Sequence, residues 1–155
     1  DRARLLATDE RFALRVRALR EMPARLDGTG ARAAQLAAEV KAMIDDAQSV
    51  IDARHAIEAE GLQARIEQYG QRGSGKKDLE DRHKREVRRH RTTELRLALA
   101  TLAAAYRDAL PTAPHPAELV AALHRLDEAA LALERFPNET LLLQALFAHL
   151  PALPS

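Results

Sequence analysis

The chain has 155 residues, a formal net charge of +1, 3% aromatic residues and no cysteine. It is long enough to bury one core, and disulfide frameworks and thiolate zinc sites are excluded. So small a net charge also excludes a uniformly basic sheath for nucleic acid, and no run approaches the roughly 18 apolar residues of a membrane span.

Ala, Leu, Arg and Glu dominate while Gly and Pro are sparse, which predicts an all-α protein. The absence of thiols suits a reducing, cytoplasmic setting. The chain starts without Met, already in helical pattern and with no signal peptide, so a segment of a longer protein is expected.

In chain order, Arg2 to Ala7 reads as the end of one helix, with Thr8 or Asp9 capping the next. Phe12, Val16 and Leu19 then mark one face of a helix that stops near Pro23. Leu26 to Gly30 is a turn, with Thr29 as the cap of the next helix. From Ala31 to Tyr69 a second pattern carries Leu36, Val40, Met43, Ala47, Val50 and Ile57 in a heptad-like seam. Arg54 occupies one seam position, Gly61 predicts a kink or break, and Leu62, Ile66 and Tyr69 resume the stripe. Gly70 to Lys77 is a Gly-rich turn.

The third pattern, Lys76 to Leu110, changes character near Thr93. Before it, charge crowds the helix; after it, Leu95, Leu99, Leu102, Tyr106 and Leu110 recur at the spacing of one buried face. About 35 helical residues would reach about 50 Å, longer than a small domain is wide. The prediction is a helical bundle with a long projecting antiparallel hairpin over residues 31–95 and a tip at 70–77. Residues 1–9 are expected to end a preceding helix and 10–155 to form the domain proper. Pro111 to Pro116 interrupts the helix, and Leu119, Leu123, Leu126, Ala130 and Leu133 form the next core face. After a turn at Phe136, Pro137 and Asn138, with Asn138 as cap, Leu141 to Leu150 is apolar over most of its circumference. That predicts burial on more than one side.

Motifs for chemistry are weak. Gly70 to Lys76 fits seven positions of the phosphate-cradling GxxxxGK loop, but Lys77 replaces the magnesium-holding hydroxyl and a helix, not a strand, precedes it. His83, Glu86 and His90 share a helix face, yet the cations around them would repel a divalent ion. His55, His115, His124 and His149 lie apart and read as surface or interface residues. Ser49, Ser74 and Ser155 have no nucleophile setting. The expected reading is non-enzymatic, with no cofactor, metal or small-molecule substrate. The cations Arg82, Lys84, Arg85, Arg88, Arg89 and Arg91 remain as candidates for contact with a partner or with phosphate. With acids interleaved and no aromatic between Tyr69 and Tyr106 for stacking, duplex contact would be weak and non-specific.

Three stretches, RARLLATDERFALRVRALREMP, KKDLEDRHKREVRRHRTTELRLALATLAAAYRDAL and LDEAALALERFPNETLLLQALFAHLP, resemble in this order the carboxyl-terminal part of the bacterial DNA polymerase III delta-prime subunit, in its actinobacterial form. Leu102 to Leu110 and Asn138 to Leu150 correspond best. The resemblance implies a non-catalytic collar domain that holds a clamp loader together by associating with its other subunits. Residues 1–9 would end the lid helix, and Asp1 would stand where ATPase-competent relatives carry a nucleotide-sensing Arg. The candidate subunit interface is Tyr106, Arg107, Asp108, Leu142, Leu146, Phe147 and Leu150. The alternatives are the collar of the gamma/tau-type ATPase subunit and a free-standing helical nucleic-acid-binding module built on the basic hairpin.

Overall fold

The computed structural model describes residues 2–70 and 75–155. Among them the chain is all-helical: α1 (Arg2–Glu21), α2 (Gly30–Tyr69), α3 (Lys76–Ala109), α4 (Pro116–Ala132) and α5 (Glu139–His149), with single 3₁₀ turns after α1, α3 and α4. Of the expected hairpin tip, residues 71–74 lie outside the described residues, as does Asp1. No helix of the described residues is long and apolar enough to cross a membrane.

Contacts divide the chain into two units, one of Asp1–Met43 with Leu95–Ser155 and one of Ile44–Glu94. The first is a helical bundle. Its core is built from Leu19, Met22, Leu36, Val40, Leu95, Leu99, Leu102, Tyr106, Leu119, Leu126, Leu133, Leu143, Leu146 and Phe147. The i, i+4, i+7 face expected of α3 is thus the face that is buried, apart from Leu110, which is half-buried. The caps follow the sequence too. Thr29 Oγ1 accepts from the Arg32 amide at 3.1 Å, and Asn138 Oδ1 accepts from the Leu141 amide at 3.0 Å, each satisfying an amide that the first helical turn leaves unpaired. Gly28, at φ +78°, supplies the left-handed residue that the turn before Thr29 requires.

Two expected interruptions are absent. α1 is continuous through Thr8, whose hydroxyl donates back to the Arg4 carbonyl at 2.9 Å instead of capping a new helix. α2 is likewise unbroken through Gly61. A helical Gly costs only about 1 kcal/mol relative to Ala, and its flanks are strong helix formers.

The carboxyl-terminal residues are tied to the bundle by two bonds. The Leu153 amide donates to the Pro23 carbonyl at 3.0 Å, and the Tyr106 hydroxyl donates to the Pro151 carbonyl at 2.7 Å. Burial holds the Tyr106 phenol far above its ordinary titration range, so it is a permanent donor. Tyr106→Phe is expected to cost about 1 kcal/mol and to raise amide exchange at Leu153, measurable by hydrogen exchange at unchanged helix content.

Candidate functional site

The second unit is an antiparallel pair of helical arms, the later part of α2 against the earlier part of α3. The register shows in its polar pairs. Arg91 Nη1 meets Asp45 Oδ1 at 2.8 Å and Gln48 Oε1 at 2.6 Å. Further along, Glu86 accepts from Arg54 and lies 2.9 Å from His55 Nε2. Glu58 meets Arg82 Nη2 at 2.8 Å and His83 Nε2 at 3.2 Å. Partners that ascend along α2 descend along α3.

At the middle of this seam the imidazoles of His55 and His83 stack, with centroids 3.7 Å apart and planes 7° from parallel. Each ring is bonded to the glutamate three residues beyond the other. Sequence inspection finds no repeat, but the arms share a short motif, HAIE at His55 to Glu58 and HKRE at His83 to Glu86. Folded antiparallel, the two copies satisfy each other reciprocally. The identical His-to-Glu spacing was the available signal; its meaning depends on which α2 turn faces which α3 turn.

Electrostatics favour the uncharged His55. Its titration is pushed below the ordinary imidazole value, first by burial, then by the neighbouring His83 and Arg54. Glu58 is held below the usual carboxylate range, first by its bond with His83 and then by Arg82. His83, Glu86 and His90 do share one face of α3, and its groups are taken by α2: His83 meets Glu58 and Glu86 meets Arg54 and His55. Among the described residues no group of three or more His, Asp and Glu side chains is arranged to hold a metal ion.

The apolar seam of α2 also differs from expectation. Val50 and Ile57 are 66% and 70% exposed, while Ile44 and His55 are buried and Ala47, Ile51, Glu58, Leu62 and Ile66 are half-buried. Facing Val50 and Ile57 inward would have set hydrocarbon against the carboxylate of Glu86 and the imidazole of His83, stranding polar groups. The shifted seam pairs them. His55, expected as a surface or interface residue, is buried between the two arms.

The six candidate cations fall into two sets. Arg82 and Arg91 are engaged in the seam by Glu58 and by Asp45 with Gln48. Lys84, Arg85, Arg88 and Arg89 are exposed. At 100° per residue they lie on the side of α3 away from Leu79, His83, Glu86 and His90.

In the bundle unit, the candidate interface residues also separate. Tyr106, Leu146, Phe147 and Leu150 are core residues of this chain and offer no surface to a partner, because the bundle itself buries the face they share. Leu142 is half-buried, and Arg107 is exposed. Asp108 is exposed but paired with Arg20 of α1. Large apolar residues are left outside elsewhere: Leu5, Leu6, Phe12 and Leu14 on α1 and Val120 on α4, and, flanking or forming the turn from α4 to α5, Leu131, Phe136 and Leu141, which are 68%, 66% and 63% exposed. Phe136 sits at φ +49°, a left-handed conformation unfavourable for a bulky side chain. Expected burial of α5 on more than one side therefore fails at Leu141. A further groove lies in the same unit, floored by Ala100, Ala103, Leu123 and Leu126 and rimmed by Arg96, Arg107 and Asp127.

No family model, no curated protein and no solved structure matches this chain.

Proposed function

We propose that the chain is a non-catalytic subunit-association module of a replication clamp loader, a collar domain like that of the delta-prime subunit. The observation that carries an association role is the turn between α4 and α5. Turns are ordinarily polar; this one presents Leu131, Phe136 and Leu141 to solvent and holds an aromatic residue in a strained backbone conformation. Exposed apolar clusters and retained strain are features of surfaces that are covered in an assembly. The delta-prime-like character of that assembly rests on the resemblance, in order along the chain, of its opening, middle and closing stretches to that subunit.

The test is co-elution of this chain with the other clamp-loader subunits of its source organism, by size exclusion with light scattering. A stoichiometric complex is expected for the natural chain. Leu131→Glu with Leu141→Glu should abolish it while leaving the thermal midpoint within about 2 °C, since both side chains are already exposed. Failure of the natural chain to join any complex, or undiminished assembly of the double variant, would sink this reading.

A further inference from the structure

The exposed cations of α3 gather on one face. From Arg82 to Arg91 the helix carries six cations and a single acid, Glu86. Folding turns that acid inward, where Arg54 and His55 engage it. Arg82 and Arg91 go to acids of α2. The solvent side carries a stripe of Lys84, Arg85, Arg88 and Arg89, beginning where the acids of the preceding turns, Asp78, Glu80 and Asp81, end.

Helix stability does not favour such a stripe. Arg85 with Arg89 is a like-charge pair four residues apart, which disfavours the helix. A polyanion laid along the face would reverse that sign. The face also lacks what a protein partner would bury. No large apolar side chain of α3 is among the exposed ones, whereas protein interfaces need an apolar centre within their polar rim. No aromatic residue lies on α3 before Tyr106, and Tyr106 is buried, so unstacked bases find no platform. Charge complementarity without apolar or stacking contacts is the requirement of a duplex phosphate backbone.

We infer that the Lys84, Arg85, Arg88 and Arg89 face of α3 binds the phosphate backbone of double-stranded nucleic acid without reading its sequence. This site belongs to the hairpin unit and does not depend on the clamp-loader reading. Co-elution tests one and binding to duplex by the isolated chain tests the other.

The experiment is fluorescence anisotropy of an end-labelled DNA duplex titrated with the full chain over a series of salt concentrations. Binding at low salt is expected, with a log–log salt slope approaching about −3.6 for four phosphate contacts. The variant with all four residues changed to Gln should bind at least about tenfold more weakly at low salt, with a slope near zero. An equal loss of charge at Arg2, Arg4, Arg11 and Lys41, all to Gln, should leave both quantities close to those of the natural chain. Circular dichroism must show equal helix content in all three proteins. Three results would overturn the inference: no binding by the natural chain at low salt, equal loss from the two quadruple variants, or binding to single strands or polyglutamate as tight as to duplex.

Discussion

Phe147→Ala should destabilise the bundle unit by about 3–5 kcal/mol, whereas Leu141→Ala, six residues earlier on the same helix, should change it by less than about 0.5 kcal/mol. Both side chains are large and apolar and both belong to α5, so helix propensity and composition do not separate them. Burial does: Phe147 is 2% exposed and Leu141 is 63% exposed. Truncating Phe147 removes its transfer free energy and leaves a cavity in the core, which the bundle can close only in part. An 11-residue helix is not stable in isolation, so loosening its anchor should also release Leu150 and the segment bonded to Pro23 and Tyr106. Urea unfolding followed by circular dichroism measures the difference. Similar midpoints for the two variants would mean that α5 is peripheral to the core.

Acidification should open the hairpin arms before it unfolds the bundle. Two groups set the sign. His55 has its folded pKa lowered from 6.5, so the fold favours the neutral ring. That contribution is complete above the unfolded value and is lost as pH falls through about 6.5 toward the folded value. Glu58 has its folded pKa lowered from 4.5, so its carboxylate contributes above about 4.5 and that contribution is lost below. Both act in the same direction, at separate pH. The groups facing His55 explain why protonation is resisted. His83 stacks on it from α3, Arg54 is adjacent on α2, and the charge of Glu86 is already shared with Arg54.

A positive charge on His55 would be poorly compensated, although Glu58 and Asp52 on α2 offset part of it. Hydrogen exchange read by mass spectrometry should therefore show amides around Ile51 to Glu58 losing protection between pH 7 and about 5.5, while those around Leu99 to Tyr106 keep theirs. His55→Leu should remove this first step and leave the loss below about pH 4.5. Protection in the hairpin that is flat from pH 7 to 5 would refute the assignment of His55 as the responsive group.

Fold class and most of the bundle core were legible in the residues themselves. Leu95, Leu99, Leu102 and Tyr106 recur at 3.6-residue spacing on a helix whose other faces are polar or small, so only one face could be buried. Thr29 and Asn138 precede helices as capping residues because their short side chains reach the first unpaired amides, a purely local matter. Local patterns misled where two solutions were nearly equal. Thr8 can cap a helix or bond back within one, and Gly61 can end a helix or be carried by its neighbours.

Tertiary structure decided what depends on the opposing surface. In α2 both Val50 with Ile57 and Ile51 with Leu62 form apolar rows, and periodicity alone does not choose between them. The His83 and Glu86 groups of α3 choose, because the second row brings Glu58 and His55 to meet them. Pairing likewise determined which cations of α3 were taken into the seam and which stayed outside, and bundle packing determined that Tyr106 and Phe147 are core while Leu131 and Leu141 are surface. Composition and periodicity act within one helix and fix its existence and its apolar faces. The choice among those faces is made by long-range burial and charge pairing between helices distant in the chain.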